Sequence, residues 1–239
     1  MKLTFLGTRG EIDARTRRHR MHTSLLVSYR SANVMIDCGL DWLGKLKRVD
    51  PSAIVLTHAH PDHAWGLKHG APCRVYAPEK TWQELRHYPI NDHHVIKERG
   101  PTKISGITFE AFPVEHSISA PAVGYRVSAR RARIFYAPDL IFIHERKAAL
   151  DGVQLYIGDG ATVMRSFVRR RGKALIGHSP VRTQLTWCQK ERVPRAIITH
   201  CGSEIVNSYE REIAAKLRGI ATERGIEVRI AYDGMKVKL

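Results

Sequence analysis

Three imidazoles and a carboxylate fall within six residues in His58-Ala59-His60-Pro61-Asp62-His63, directly after the apolar run Ala53-Ile54-Val55-Leu56-Thr57. Imidazole nitrogen and carboxylate oxygen are donors that bind divalent transition metals, so this stretch is a candidate metal loop. A polar, histidine-rich turn is the alternative. The apolar run reads as a short buried strand, Pro61 and Asp62 predict a turn at its end, and a helix is expected from Trp65 onward. His58 and His60 can point to one side of the chain while Asp62 and His63, beyond the turn, point elsewhere. That division suits two neighbouring metals served by one loop.

The elements that would complete such a site lie downstream. His116 sits in Phe112-Pro113-Val114-Glu115-His116, after the strand-like residues 106–111. Asp139 ends Ile134-Phe135-Tyr136-Ala137-Pro138-Asp139, and His200 ends Ala196-Ile197-Ile198-Thr199-His200. Each follows an apolar β-type run and is therefore expected at a strand end, where loops build sites. In this order the chain resembles the metallo-β-lactamase superfamily of hydrolases. The resemblance implies that His58, His60 and His116 bind one metal, that Asp62, His63 and His200 bind a second, and that Asp139 bridges both. Two such cations would activate a metal-bridging hydroxide, with no nucleophilic side chain required. Zinc suits the histidine-rich set, and manganese, iron or nickel are also accepted by mixed His/carboxylate donors.

Within that superfamily the stretch from Phe5 to His200 is similar to the ribonuclease Z type of nuclease and phosphodiesterase. The matching segments are His116 through Gly124-Tyr125-Arg126, Leu155-Tyr156-Ile157-Gly158-Asp159-Gly160-Ala161, and Gly177-His178-Ser179 before an expected helix. This resemblance implies a proton-relay set of Asp62, Asp159 and His178, with His178 as general acid at the scissile phosphate. On residue type alone, His178 also fits a helix start with Ser179 as cap and Pro180 as first helical residue. Asp159 likewise fits a turn between two glycines. The chain departs from the ribonuclease Z pattern in two places. No long Gly/Pro-rich arm separates His63 from His116, and Cys201-Gly202-Ser203-Glu204 follows His200 where a Ser-Arg-Tyr type of ending is expected. Precursor transfer RNA processing is therefore set apart from diester hydrolysis in general.

Charge points to a polyanionic substrate. Lys and Arg number 39 against 23 Asp and Glu, a net +16 with a pI near 10.0, as expected for a protein that meets nucleic acid. Arg9, Arg15, Arg17, Arg18, His19 and Arg20 crowd the loop after the first strand, and of these Arg15, Arg17, Arg18 and Arg20 are the candidate phosphate contacts. Arg165, Arg169, Arg170, Arg171 and Lys173 form a second cluster, whereas Arg130, Arg131 and Arg133 fit a hairpin turn. A solvated basic surface would have the same composition. The expected partner is nucleic acid or another phosphodiester, with homodimerisation left open. A metallohydrolase of esters, lactones or thioesters is the competing reading, since the same seven ligands would serve it. A nucleic-acid-binding protein with structural metals is disfavoured because structural zinc sites are usually rich in cysteine.

Cys38, Cys73, Cys188 and Cys201 have no close paired spacing and read as reduced thiols. No apolar stretch approaches the roughly 20 residues of a membrane span, and residues 1–5 have no signal-peptide layout, so a cytoplasmic enzyme is expected. Strands are predicted near 2–7, 23–29, 33–37, 53–57, 73–77, 107–112, 122–128, 133–137, 153–158, 195–199, 226–231 and 235–238. Helices are predicted near 41–48, 79–87, 144–150, 180–191 and 207–224. The last carries Ile213, Leu217 and Ile220 on one face, as a helix packed on a sheet does. The expectation is an α/β chain folded as one domain over 1–239, a four-layer αβ/βα sandwich with its site where the strand ends of both sheets meet.

Overall fold

The strand Ile107–Glu115 switches its buried face midway, and its two faces serve different cores in the computed structural model, which describes residues 1–172 and 174–239. Ile107, Phe109 and Ala111 enter one core and Phe112 and Val114 another, as the alternation of side chains along a strand requires.

Among the described residues the first sheet takes β1 (Lys2–Gly7), β2 (Ser24–Tyr29), β3 (Ala32–Ile36), β4 (Ala53–Val55), β5 (Val75–Ala77) and β6 (His93–Val95). The second takes β7 (Thr102–Ile104), β8 (Ile107–Glu115), β9 (Ala122–Ala129), β10 (Ala132–Tyr136), β11 (Phe142–Ile143) and β12 (Leu155–Asp159). A separate hairpin of β13 (Phe167–Arg171) and β14 (Ala174–His178) follows, then β15 (Arg195–Thr199) and β16 (Glu227–Ile230) of the second sheet, and β17 (Lys236–Lys238) returns to the first. Strand order is β17-β1-β2-β3-β4-β5-β6 in one sheet and β11-β8-β9-β10-β12-β15-β16 in the other, with β7 also on β8. Each sheet is antiparallel over its hairpins and parallel over β3-β4-β5-β6 or β10-β12-β15-β16. Helices α1 (Leu46–Val49), α2 (Pro61–Ala64) and α3 (Glu79–Glu84) flank the first sheet, and α4 (Arg146–Leu150), α5 (Val181–Lys190), α6 (Ser203–Val206) and α7 (Glu210–Thr222) the second.

The core between the sheets holds Phe5, Val27, Ile36, Val55, Phe109, Tyr125, Ile134 and Ile157. Met35, Ile54 and Leu67 lie under the first helical layer, and Phe135, Tyr156, Leu185, Ile198, Ile213 and Leu217 under the second. These are the four layers expected. The Gly124-Tyr125-Arg126 segment ties them together. A Cβ on Gly124 would lie 2.5 Å from the Phe135 ring, the Tyr125 hydroxyl donates to the Leu56 carbonyl at 2.7 Å, and Arg126 pairs with Glu110.

Several local expectations need correction. The helix expected after the candidate metal loop starts at Pro61 and leaves only a 3-10 turn at Trp65–Leu67. Proline's fixed φ suits the first helical position, so Pro61 opens the helix and does not merely turn the chain. The predicted helix 41–48 breaks at Gly44, where φ is +73°, into a 3-10 turn (Leu40–Trp42) and α1. Pro180 is itself the N-cap of α5, and the Ser179 N–H donates to Leu140, so Ser179 is not the cap. Residues 93–95 form an edge strand, and β7, β11, α6 and the β13–β14 hairpin were not expected. Lys173 of the second basic cluster lies outside the described residues, as does the side chain of Arg171.

Candidate metal centre

Parallel strands put their carboxyl ends on one edge, and in open α/β sheets that edge builds the site. His58 and His60 follow β4, and Asp62 and His63 stand on α2. His116 follows β8, Asp139 follows β10, Asp159 ends β12, His178 ends β14 and His200 follows β15. Gly39 fixes the approach of the α2 turn: a Cβ there would lie 2.0 Å from the Asp62 carbonyl oxygen, so only glycine lets the two backbones touch. Gly177, at φ +129°, has the Phe167 carbonyl where a Cβ would be, and this close crossing turns His178 toward the cluster.

All nine residues expected to ligate or relay protons come together. His60 Nδ1 is 3.1 Å from both His58 Nε2 and His116 Nε2. His200 Nε2 and His63 Nε2 are 3.0 and 3.3 Å from Asp62 Oδ2. Between the two groups, Asp139 Oδ2 is 3.7 Å from His58 Nε2 and 3.8 Å from both His63 Nε2 and His200 Nε2. His178 Nδ1 is 2.9 Å from Asp139 Oδ1 and from Asp159 Oδ2. Tetrahedral donors about 2.0–2.1 Å from a cation are roughly 3.3 Å from one another, so these separations fit divalent metal. His63 Nε2, His200 Nδ1 and Asp139 Oδ1 are buried with no hydrogen-bond partner among the described residues.

Asp37 is the functional residue that sequence reasoning missed. It is fully buried, and its carboxylate accepts from the Thr57 N–H at 2.8 Å, the Thr57 hydroxyl at 2.9 and 3.0 Å, and His63 Nδ1–H at 2.9 Å. With its proton given to Asp37, the Thr57 oxygen accepts from His58 Nδ1–H at 3.0 Å. One carboxylate therefore sets both tautomers, leaving the Nε2 lone pairs of His58 and His63 aimed into the cluster. The signal was available, since Asp37 follows an apolar strand as Asp139 does. Asp37 and His200 also take positive φ, 60° and 51°.

The electrostatics divide the cluster in two. Burial drives His58 well down and His60 to about 4, and neighbouring imidazoles add to the effect, so this side presents neutral lone pairs. Burial would also depress His63, but Asp62 and Asp37 hold it well above its ordinary range. Against the same burial, Asp139 and Asp159 push His178 up to about 11, and Asp139, Asp159 and Asp62 push His200 up to about 9. Four buried carboxylates, Asp37, Asp62, Asp139 and Asp159, thus demand positive charge, and without metal protons supply it.

The cluster opens into a cavity of about 610 Å³ whose walls include Glu11, Ile12, Phe167, Ile176, His178 and Glu204. Arg15, Arg17, Arg18 and Arg20 are not among the residues that line it. Arg15 pairs with Asp41 at 2.9 Å and Arg18 with Glu210 at 2.9 Å, while the backbone N–H of Arg20 donates to Asp233. Arg17 and Arg18 border a separate groove against α7. Arg9 is buried and bound to Asp41 and to backbone carbonyls, which makes it an anchor of the loop. His19 is buried too, and burial lowers it to about 4.

The fold and donor set define a metallohydrolase-like sandwich. Residues 32–201 match the beta-lactamase superfamily domain, and the chain belongs to that superfamily. It is 29% identical to a ribonuclease Z of Methanococcus maripaludis over 153 residues, which are 53% of this chain and 49% of that protein. It is 28% identical to the exodeoxyribonuclease YycJ of Bacillus anthracis over 165 residues, 57% of this chain and 61% of that one. The chain thus spans about half the length of the ribonuclease Z it matches. The metallo-beta-lactamase fold protein YhfI from Bacillus subtilis superposes with a TM-score of 0.76 at 16% identity over 99% of this chain and 98% of the other, a likeness of fold. No helix among the described residues is long and apolar enough to cross a membrane.

Proposed function

We propose that the chain is a dinuclear metal-dependent phosphodiesterase acting on nucleic acid. His178 carries the reading: an imidazole with 25% of its side chain exposed, facing the cavity and held by two carboxylates beside the donor cluster. His58, His60 and His116 would hold one ion and Asp62, His63 and His200 the other, with Asp139 shared between them. Two divalent charges balance the four buried carboxylates. Zinc is the ion favoured, with manganese, iron or nickel also accepted by these donors. The ions would supply Lewis acidity to a phosphoryl oxygen and activate water for attack on phosphorus.

The chain's own groups do the rest. Asp159 occupies His178 Nδ1, so Nε2 is the atom that gives a proton to the departing oxygen. The N–H groups of Ala161 and Leu140 donate to Asp159 at 2.8 and 3.2 Å and keep it a carboxylate that orients the ring. Asp62 combines ligation with its contact to His200. Arg15, Arg17, Arg18 and Arg20, outside the cavity, would meet the distal backbone of a polynucleotide. Unpaired cysteines accord with a cytoplasmic setting.

The test is turnover of labelled RNA, labelled DNA and a nitrophenyl diester by metal-loaded protein and by His178→Ala, with elemental analysis. Two metals per chain in both proteins are expected, with the variant losing most on the unactivated polynucleotides. Trace metal only, or equal loss on all substrates, overturns the reading. Among the described residues no arginine lines the cavity wall, where Ile12, Phe167 and Ile176 stand, and this favours as second reading a hydrolase of esters or lactones. Turnover of a lactone panel with none of the diesters would establish it.

A further inference from the structure

The β13–β14 hairpin stands outside both sheets, yet it carries His178. Its register sets Phe167 opposite His178 and Arg169 opposite Ile176. Directly paired residues of an antiparallel ladder share a face, so Phe167, His178, Arg169 and Ile176 stand on one face of the hairpin. Three of the four line the cavity, and that identifies the face turned toward the site. Phe167 is 56% exposed, in contrast to the buried phenylalanines of the cores. A large aromatic ring left in water beside a polar cluster forgoes the burial that a core position gives it. Outward along the same face, one side-chain repeat away, comes the exposed Arg169.

We infer that this hairpin is a single-strand platform: Phe167 stacks the base next to the scissile phosphate, and Arg169 holds the phosphate one step further along the strand. The inference rests on the phosphodiesterase reading and adds strandedness to it. A base is free to stack on a protein ring only when it has left its own helix, so the platform selects single-stranded or unpaired ends over intact duplex. Because Phe167 is paired with His178, a stacked base would bring its own phosphate to the proton donor.

Metal-loaded wild type, Phe167→Ala, Phe167→Trp and Arg169→Gln are compared on a labelled single-stranded oligonucleotide, its blunt duplex and a nitrophenyl diester, with metal content measured throughout. Wild type is expected to prefer the single strand. Phe167→Ala should lower kcat/KM for the single strand roughly tenfold to hundredfold more than for the reporter, the range that loss of one stacked base produces. Phe167→Trp should restore most of it, and Arg169→Gln should reduce the salt slope of single-strand binding by about 0.7. Parallel loss on oligonucleotide and reporter, equal loss in the Ala and Trp variants, or a wild-type preference for blunt duplex overturns the platform. If wild type cleaves no nucleic acid at all, the phosphodiesterase reading fails first, and the platform with it.

Discussion

Replacing Asp37 by Asn changes one atom in the fully buried hydrogen-bond centre behind the candidate metal site. Thr57 N–H and His63 Nδ1–H approach different carboxylate oxygens, at 2.8 and 2.9 Å. The amide of Asn has one acceptor oxygen and one donor nitrogen, and the backbone N–H cannot change character. Its oxygen must therefore stay with Thr57, and its NH2 then faces His63. His63 can relieve the clash by moving its proton to Nε2, but that consumes the lone pair aimed at the cluster. Loss of a residue that orients a ligand typically costs 10–100-fold in metal affinity, or about 1.4 to 2.8 kcal/mol.

The assay is competition against a chromophoric chelator together with elemental analysis. The site of Asp62, His63 and His200 should weaken by that factor, and His58, reached only through Thr57, should suffer less. Thr57→Val separates the two effects, because it removes the hydroxyl relay to His58 and leaves the Asp37–His63 hydrogen bond in place. Wild-type affinity at both sites in a folded Asp37→Asn protein would refute the tautomer argument.

Gly39→Ala should prevent the α2 turn from docking, because a Cβ would stand 2.0 Å from Asp62 O; a loss of about 1–3 kcal/mol of stability is expected by chemical denaturation, with reduced metal content. Stability of the metal-free protein should fall as pH rises from 6.5 through 9, because His200 is raised to about 9 and its stabilising contribution, complete below its unfolded value, is lost as it deprotonates. Denaturant melts at several pH values in a chelator check this, and metal-loaded protein should lack the decline. Neutralising Arg15, Arg17, Arg18 and Arg20 together should flatten the salt dependence of polynucleotide binding by roughly 0.7–0.9 for each phosphate no longer engaged, read from binding at several salt concentrations, while diester turnover stays within a few-fold.

The donor cluster was legible because the loop from His58 to His63, His116, Asp139 and His200 each follow an apolar run, and strand ends converge whatever the intervening loops do. His178 and Asp159 were legible from the resemblance, although the strand that carries His178 was not. Phe167-Val168-Arg169-Arg170-Arg171 lacks the alternation of a half-buried strand, because the hairpin pairs with neither sheet and one of its faces lines a cavity. The pairing of the arginine loop was hidden for a related reason. Charge in sequence says nothing about which carboxylates lie nearby in space, and Asp41 and Glu210, remote in the chain, answer Arg15 and Arg18. Asp37 was passed over because its role is to a histidine and a threonine hydroxyl, partners that only the tertiary structure brings within reach.

The net charge of +16 and the acidity of the cavity act in opposite directions on a phosphate. At long range the basic surface attracts a polyanion, but within the cavity Glu11 and Glu204 join Asp62 and Asp139, and burial and Asp62 hold Glu11 above its ordinary pKa. Protonated His63, His178 and His200 offset part of that charge when metal is absent, and two divalent ions would offset it without borrowing those protons. Phosphate affinity and metal affinity are then linked, because each ligand supplies the charge the other requires, and the coupling factor must be the same in both directions. A diester analogue should tighten metal binding by the same ratio by which metal tightens the analogue. An analogue that binds yet leaves metal affinity unchanged occupies a separate site, with the groove bordered by Arg17 and Arg18 the first place to look.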